Sequence, residues 1–593
     1  MPEYNAVLGK VKLDLVRNTA DAQRFLEWLA QPREVLGLDT ESGGLDHVKH
    51  RLRMYQFGDL RMGWAISWDH WKGLIIEALS RYRGPLVLHN TPHDALFTMK
   101  NAPELGPWPW DRTNDTLTIA HLVDPLRSKH LKTFGAIHID PSAGRAERHL
   151  KEQMKLHGWD WDTVPWDFKP YWVYAAMDPV ITAHIYDRFK GETINGRPRE
   201  AYGLEMGTLR VITNMMFKGA RVDLGYCAAK SAELGDQAQQ MQQYLATTYG
   251  VRSVNSRDQI VQAFDRLGVP MPPLFTDGGQ QSTDRDTLEL IDHDLARYIL
   301  AIRKIQKQTG PYFSNFVKMA DPFNRVHPTI WSMGARTGRQ SVEKPALQQL
   351  PKKDPTVRHA FVPSPGYVLI TIDADQIEAR LLAHFCEDPG MTDAFQGTDD
   401  FFVALARRIF QDQTIEKDDP RRDLSKTPVY GRIYGSGVDS MAARSRLPVE
   451  QMQQFVDAFH QIFPGIKRLQ NKLNNLGAIR KREEGVAYIV TPYGRRLAAD
   501  DERDYTLLNY LIQGHASEIL KRMLVALDAY GFGDFMILPV HDEIVMEVPE
   551  ELAEEVLRVA LSIMNDYVNY RVPITWSGDI LKNSWGEKYE RVA

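Results

Sequence analysis

Acidic side chains fall into two separated sets whose spacing suits metal-assisted chemistry on phosphate. Asp39 and Glu41 stand two apart in VLGLDTE, and strand residues i and i+2 face one side of a sheet. Asp94 follows the apolar run PLVLHN, and Asp178 comes one helical turn after Tyr174 in YWVYAAMD. Such acids repel one another unless divalent cations sit among them, and hard oxygen donors suit magnesium or manganese. Paired ions stabilise both the attacking and the leaving oxygen when a phosphodiester is cleaved. Taken alone, DTE also reads as a surface strand end, and YxxxD occurs by chance in helices.

The second set is Asp373, which ends VLITID, and Asp542, in the HDE between two apolar runs. Three polar groups between strongly apolar strands need a partner or a ligand. Between the two acids, RRDLSKTPVYGRIYGSG places Arg422, Lys426, Tyr430 and Tyr434 at every fourth position. On a helix these form one slowly drifting stripe. Two cations followed by rings suit a nucleoside triphosphate, with phosphates on the cations and sugar and base by the rings. An amphipathic helix with a cationic end is the plainer alternative. Pro428, inside the stripe, lacks a backbone donor and predicts a kink or loosening there.

Strands and helices must bring these groups together. VLGLDTE, RMYQFGD and PLVLHN read as short strands, and DALFTMK opens a helix. Ten of the thirteen tryptophans lie between Trp28 and Trp172, which sets off a first unit ending before residue 200. The polar KGETINGRPRE, Lys190 to Glu200, reads as its linker. Residues 201–325 are mostly helical in pattern, with DTLELIDHDLARYILAIRKIQKQTGPYFSNFV as a long helical pair. Strands return in YVLITIDAD and in the hairpin MILPVHDEIVMEV, around a helical region at 386–480.

Composition narrows the class. The 593 residues, 43% hydrophobic and 25% charged, fit a globular protein of several domains. Cys227 and Cys386 lie far apart and outside any CxxC, which argues against a disulfide framework or structural zinc and fits a reducing compartment. No apolar run suggests a membrane span, and the first residues lack a signal-peptide core. The net charge of −5 does not itself suggest nucleic acid; a DNA surface would need locally clustered cations.

In order, DxE, NxxxD (Asn90 to Asp94) and YxxxD resemble the three motifs of the DEDDy 3′–5′ exonucleases. The NDT at Asn114 fits a further element, and Leu45 matches an apolar residue that this family wedges against the terminal base. TGRQSVEKPALQQLP, DADQIEARLLAHF, RDLSKTPVYGRIYG, NYLIQGHASEILK and VHDEIV, also in order, resemble the blocks of the family A DNA polymerases, the bacterial DNA polymerase I family and its phage relatives. Together the resemblances span nearly the whole chain. They imply a multidomain α/β protein: a ribonuclease-H-like exonuclease domain at 1–192, thumb and connecting helices at 200–330, palm at 331–400 and 481–593, and fingers at 401–480. The implied function is template-directed DNA synthesis from deoxynucleoside triphosphates with 3′–5′ proofreading. The exonuclease motifs begin near the first residue and Tyr430 holds the aromatic position, which resembles phage replicative members. A single-subunit RNA polymerase and a non-catalytic DNA-binding replication scaffold are the alternatives.

The resemblance also implies roles. Asp373, Asp542 and the carbonyl of Ala374 would hold two divalent ions, and Asp39, Glu41, Asp94 and Asp178 another two, magnesium first and manganese as the alternative, with Tyr174 helping to position the attacking water. Arg422 and Lys426 would neutralise the triphosphate, with Tyr430, Tyr434 and Gln376 beside the nucleotide. Glu378 would exclude a ribose 2′-hydroxyl. Arg339 and Gln513 would read minor-groove acceptors, with Asn509, His541 and Leu45 also on DNA. His541 and Glu543 would support the primer terminus and metal site. Three departures stand out: DAD adds Asp375 beside Asp373, Phe402 replaces a histidine that approaches the phosphates, and Tyr505 replaces an arginine. Implied partners are primer–template DNA, deoxynucleotides and replisome or processivity proteins, with no membrane. The implied location is the cytoplasm, that of a host cell if the chain is phage-encoded.

Overall fold

The structure is a computed structural model and describes residues 7–593 apart from 277, 352–353, 397–399, 446, 501–502, 567–569 and 591–593. The N-terminal unit is built on six strands: β1 (Lys12–Leu15), β2 (Leu36–Ser42), β3 (Leu52–Gly58), β4 (Met62–Ser67), β5 (Leu86–Leu88) and β6 (Thr113–Asp115). Their order is β1-β4-β3-β2-β5-β6. β3 runs antiparallel to both neighbours, and the remaining pairs are parallel. This agrees with the ribonuclease-H-like expectation. Every residue of β3 is buried, because helices cover both faces, so LRMYQFG need not alternate.

One helix, Lys169–Thr193, lies directly on this sheet. A Cβ at Gly37 of β2 would run into the carbonyl of Pro179, and one at Gly63 of β4 into that of Ala176. The two glycines therefore allow a backbone-to-backbone approach that carries Asp178 over β2. On the other face Phe25 packs on Phe57, with ring centroids 5.0 Å apart.

The expected linker is shorter than its composition suggests. The helix reaches Thr193 and the next begins at Arg199, so only 194–198 are non-helical. Residues 201–325 are largely helical, but the long helical pair is instead the short helix Arg285–Glu289 and one long helix from Asp294. His293 Nδ1 accepts from the Leu295 N–H at 3.0 Å, which caps a fresh start. The long helix continues through a π turn at Gln308–Ser314, which contains Pro311, to Met319.

The C-terminal unit is centred on a four-stranded antiparallel sheet. Its strands, in spatial order, are Met536–Val540, Glu543–Pro549, Tyr367–Ala374 and Trp576–Leu581. The helices Ile377–Cys386 and Leu507–Leu527 pack on each other, and the helices from Phe401 to Glu484 stand beyond them. Pro428 lies inside Pro420–Ile433, which runs as one α-helix through it.

A buried ionic cluster ties the units of sequence together. Lys521 donates to Glu205 at 2.5 Å and to the carbonyl of Gly338 at 2.7 Å. Arg495 bonds to Glu205 and, at 3.4 Å, to Glu518. Ser517 donates to the same Gly338 carbonyl at 2.8 Å, which fixes the backbone beside Arg339. Among the described residues, no helix is long and apolar enough to cross a membrane.

Candidate active sites

Asp39, Glu41 and Asp178 meet above β2, with ligand oxygens all within 4.8 Å of one another. β2 aims the first two at one point, and the helix resting on Gly37 and Gly63 delivers the third. Burial pushes the Asp39 carboxyl up to about 7, against the pull of Lys132. Burial and then Asp39 push Glu41 well above the ordinary range, although Lys132 and a hydrogen bond from Tyr174 oppose this. Three carboxylates, two of them buried, in so small a space demand cationic charge, and an all-oxygen donor set fits a hard divalent ion. Asp94 stands slightly apart. It is buried and accepts from the Thr40 hydroxyl at 2.7 Å, and its pKa is raised by burial and then by Asp39. Leu45 is 75% exposed, as a wedge against a base would need to be.

Lys132 was not foreseen. It comes from the helix Leu131–His138, its ammonium contacts the carboxylate of Asp178, and it lies 4.6 Å from the Tyr174 ring centroid. A lone lysine in LKTFG carries no sequence signal; only the fold brings it to the acids.

In the C-terminal sheet, Asp373 is paired in register with Glu543, so Asp542 lies just beyond, in the turn between the hairpin strands. The Ala374 N–H donates to the Asp542 carbonyl at 3.3 Å. His541 takes φ +57° in this turn and bonds through Nε2 to the carbonyl of Gln348 at 2.8 Å. Glu543 does not face open space. It is buried and accepts from Trp585 Nε1 at 3.0 Å and from the Tyr589 hydroxyl at 2.7 Å. Lys588 lies 3.3 Å from Glu543 and 3.9 Å from Asp373. The C-terminal WGEKY thus braces the centre, which the sequence reading missed although two aromatics flanking a lysine were visible. Asp375 turns away to Thr575 and Ser577, at 3.0 and 2.8 Å.

Glu378 is where separate sequence blocks meet. It is buried, ion-paired with Arg339, and accepts from the Tyr434 hydroxyl at 2.8 Å. Tyr434 is also hydrogen-bonded by Gln513. Burial works against the Arg339 charge, but Glu378 and then Asp542 outweigh it. Tyr430 stacks on Tyr434 with centroids 6.4 Å apart, and packs against Phe402 at 5.7 Å. Burial raises the Tyr430 hydroxyl pKa, and Glu378, Tyr434 and Asp542 add to it.

The two cations of the stripe already have carboxylate partners. Arg422 donates to both oxygens of Asp400, at 3.0 and 2.8 Å, and Gln376 donates to the same group at 3.1 Å. Asp400 also caps the helix Phe401–Phe410. Lys426 pairs with Asp423 at 2.6 Å; Asp423 is mostly exposed, so that pair is weak. The Asn509 side-chain oxygen is buried with no hydrogen-bond partner among the described residues.

A cleft of about 360 Å³ has walls from both units and is lined by Arg127, Lys129, Arg336, Arg495 and Arg496; Arg127, Arg336, Arg495 and Arg496 are paired with Asp124, Asp500, Glu205 and Glu484.

The chain is similar to known proteins. The model of DNA polymerase family A matches residues 225–587. The chain is 29% identical to a DNA polymerase of Mycobacterium phage D29, over 98% of this chain and 97% of that one. It is 26% identical to a DNA polymerase of Mycobacterium phage L5 over the same shares. With the thermostable DNA polymerase I of Thermus aquaticus it shares 29% identity, over 68% of this chain and 50% of that one. Among solved structures, the POL domain of Pol1 from M. smegmatis, in complex with DNA primer–template and dNTP, superposes with a TM-score of 0.78. Identity there is 22%, over 97% of this chain and 99% of the other.

Proposed function

This chain belongs to DNA polymerase family A, and from that premise we propose that it couples template-directed DNA synthesis at the C-terminal sheet with 3′–5′ proofreading at the N-terminal one. The family match begins at residue 225, so the N-terminal activity rests on the carboxylate centre itself. The observation that carries the polymerase assignment is the convergence on Glu378, where Arg339, Tyr434 and Gln513 come from three further sequence blocks. In this reading the N-terminal unit is the exonuclease domain, the two strand-bearing segments form the palm, the helices around Pro420–Ile433 the fingers, and those around Leu224–Tyr249 the thumb.

At the polymerase centre Asp373 and Asp542 would hold divalent ions, magnesium in the first instance, whose chemistry there would be activation of the primer hydroxyl and charge stabilisation of the leaving pyrophosphate. Arg422 exchanges Asp400 for triphosphate oxygens, and Lys426 leaves Asp423 to do the same. The Tyr430 ring takes the sugar and base. Glu378, clamped from two sides, walls off the 2′ position. Arg339 and Gln513 face the minor groove of the primer end. Trp585 and Tyr589 keep Glu543 on Lys588, which stands beside Asp373.

At the exonuclease centre Asp39, Glu41, Asp94 and Asp178 are the ligand set, and Tyr174, bonded to Glu41, orients the attacking water. The cleft lined by Arg127, Lys129 and Arg336 supports a path for a melted primer end, since its walls come from both units. The phage relatives favour a replicative role in a host cytoplasm. The test is extension of a labelled primer with deoxynucleotides, then with ribonucleotides, then with all nucleotides withheld. Extension with the first, little with the second and shortening in the third support the reading; no extension sinks it.

A further inference from the structure

Lys132 has no place in the roles assigned so far, yet it lies in the centre of the N-terminal site. Its residue is 5% exposed, and its ammonium reaches Asp178 from one side while facing Asp39, Glu41 and, more distantly, Glu147. The ammonium itself lies over the Tyr174 ring, 4.6 Å from its centroid. Its backbone is equally fixed. Leu131, Phe134 and Gly135 of the same helix are buried, and Gly135 abuts the Ile181 side chain on the helix that carries Asp178. A dry ammonium is costly without anions, and dry carboxylates are costly without a cation. The ammonium stands where a ligand-bound ion would draw the same oxygens.

We propose that Lys132 is the resident counter-cation of this site, a positioning residue that holds Asp39, Glu41 and Asp178 together while divalent ions are absent and cedes that place when they bind. The proposal rests on the exonuclease reading. Its physical content is competition: one ammonium and the divalent ions neutralise the same acids, so each weakens the hold of the other. A lysine that only braced two helices would contribute the same stability with ions present or absent.

The experiment uses the full chain with Asp542→Asn, so that ion binding reports the N-terminal site. Lys132→Met and Lys132→Arg are compared with that parent at pH 7, by thermal unfolding in chelator and in Mn²⁺ and by calorimetric Mn²⁺ titration. Lys132→Met is expected to unfold at a lower temperature in chelator, to regain the parental value in Mn²⁺, and to bind Mn²⁺ about tenfold more tightly, since a like charge a few ångströms from the ion is gone. Lys132→Arg, which keeps the charge, is expected to stay near the parent in chelator. Equal loss of stability with and without Mn²⁺, or an unchanged affinity, overturns the proposal. So does a Met variant that stays unfolded in Mn²⁺, because the ions are then no substitute for the ammonium. A parent that neither binds Mn²⁺ nor shortens a 3′ end would remove the exonuclease reading itself. A parent that does both, beside an indifferent Met variant, would remove only the role of Lys132.

Discussion

Tyr434 donates its hydroxyl to Glu378 at 2.8 Å, on the carboxylate whose other oxygen is taken by Arg339. The proposed sugar gate is therefore clamped from two sides. Glu378→Ala is expected to raise ribonucleotide incorporation and lower deoxynucleotide efficiency. Tyr434→Phe removes one hydrogen bond worth about 1 kcal/mol and is expected to give a smaller change, about three- to tenfold in the ribo/deoxy ratio. Competition assays read both, and an unchanged ratio in Glu378→Ala removes the gate.

The two centres are built on different sheets, so their activities are expected to separate. Asp39→Ala with Glu41→Ala abolishes 3′–5′ degradation and leaves extension; Asp542→Ala does the reverse. Chelation of divalent ions stops both. Parental extension by Asp542→Ala would mean that the polymerase centre lies elsewhere.

Tyr430 packs between Phe402 and Tyr434 on the unbroken Pro420–Ile433 helix. In the proposed reading its hydroxyl stands in for the 3′-hydroxyl that a dideoxynucleotide lacks. Tyr430→Phe leaves that hydrogen bond unmade at a cost of roughly 1–3 kcal/mol. The expected loss in dideoxy relative to deoxy incorporation is about ten- to a hundredfold. Incorporation ratios in the Asp39→Ala, Glu41→Ala background measure it, and equal ratios count against the assignment.

His47 joins the two units. Its ring lies 5.4 Å from that of His327 and 6.2 Å from that of Phe217, with Asp46, Lys100 and His93 also facing it. Burial, and then His327, lower its pKa to about 4. The folded chain holds this imidazole neutral, while the unfolded chain protonates it near 6.5. Its contribution is therefore complete above pH 6.5 and is lost as pH falls toward 4, on the order of 1–3 kcal/mol. His47→Phe is expected to flatten the acid limb of a stability-against-pH curve; a parallel curve would mean that the group titrates normally in the fold.

How much of this was legible in the sequence depended on what kind of signal each residue carries. Asp39 and Glu41 announce themselves by strand parity, Asp178 by its turn from Tyr174, and the hairpin around Asp542 by apolar runs on either side. Lys132 and Lys588 carry no comparable pattern, because a single lysine acquires meaning only from what the fold puts against it. Asp400 was visible as the first residue of DFFVALA, but not as the partner of Arg422, since that bond bridges two helices. Pro428 misled in another way: a missing donor is a local fact, and the packed helix around it is a tertiary one. The polar run at 190–200 likewise conceals most of a helical turn, because composition reports solvent exposure before it reports backbone shape.

The cluster of Glu205, Arg495 and Lys521 limits where the chain can be cut. A fragment meant to retain synthesis without the N-terminal sheet could start at 194–198, where the backbone is non-helical, and would keep the helix Arg199–Lys218 whole. A fragment starting at the family-match boundary, residue 225, would discard Glu205 and leave two buried cations short of their shared anion. Loss of one member of such a buried set costs about 3–5 kcal/mol, and Lys521 would then pull unopposed on the Gly338 carbonyl beside Arg339. The shorter piece would misalign Arg339, the residue proposed to read the primer end.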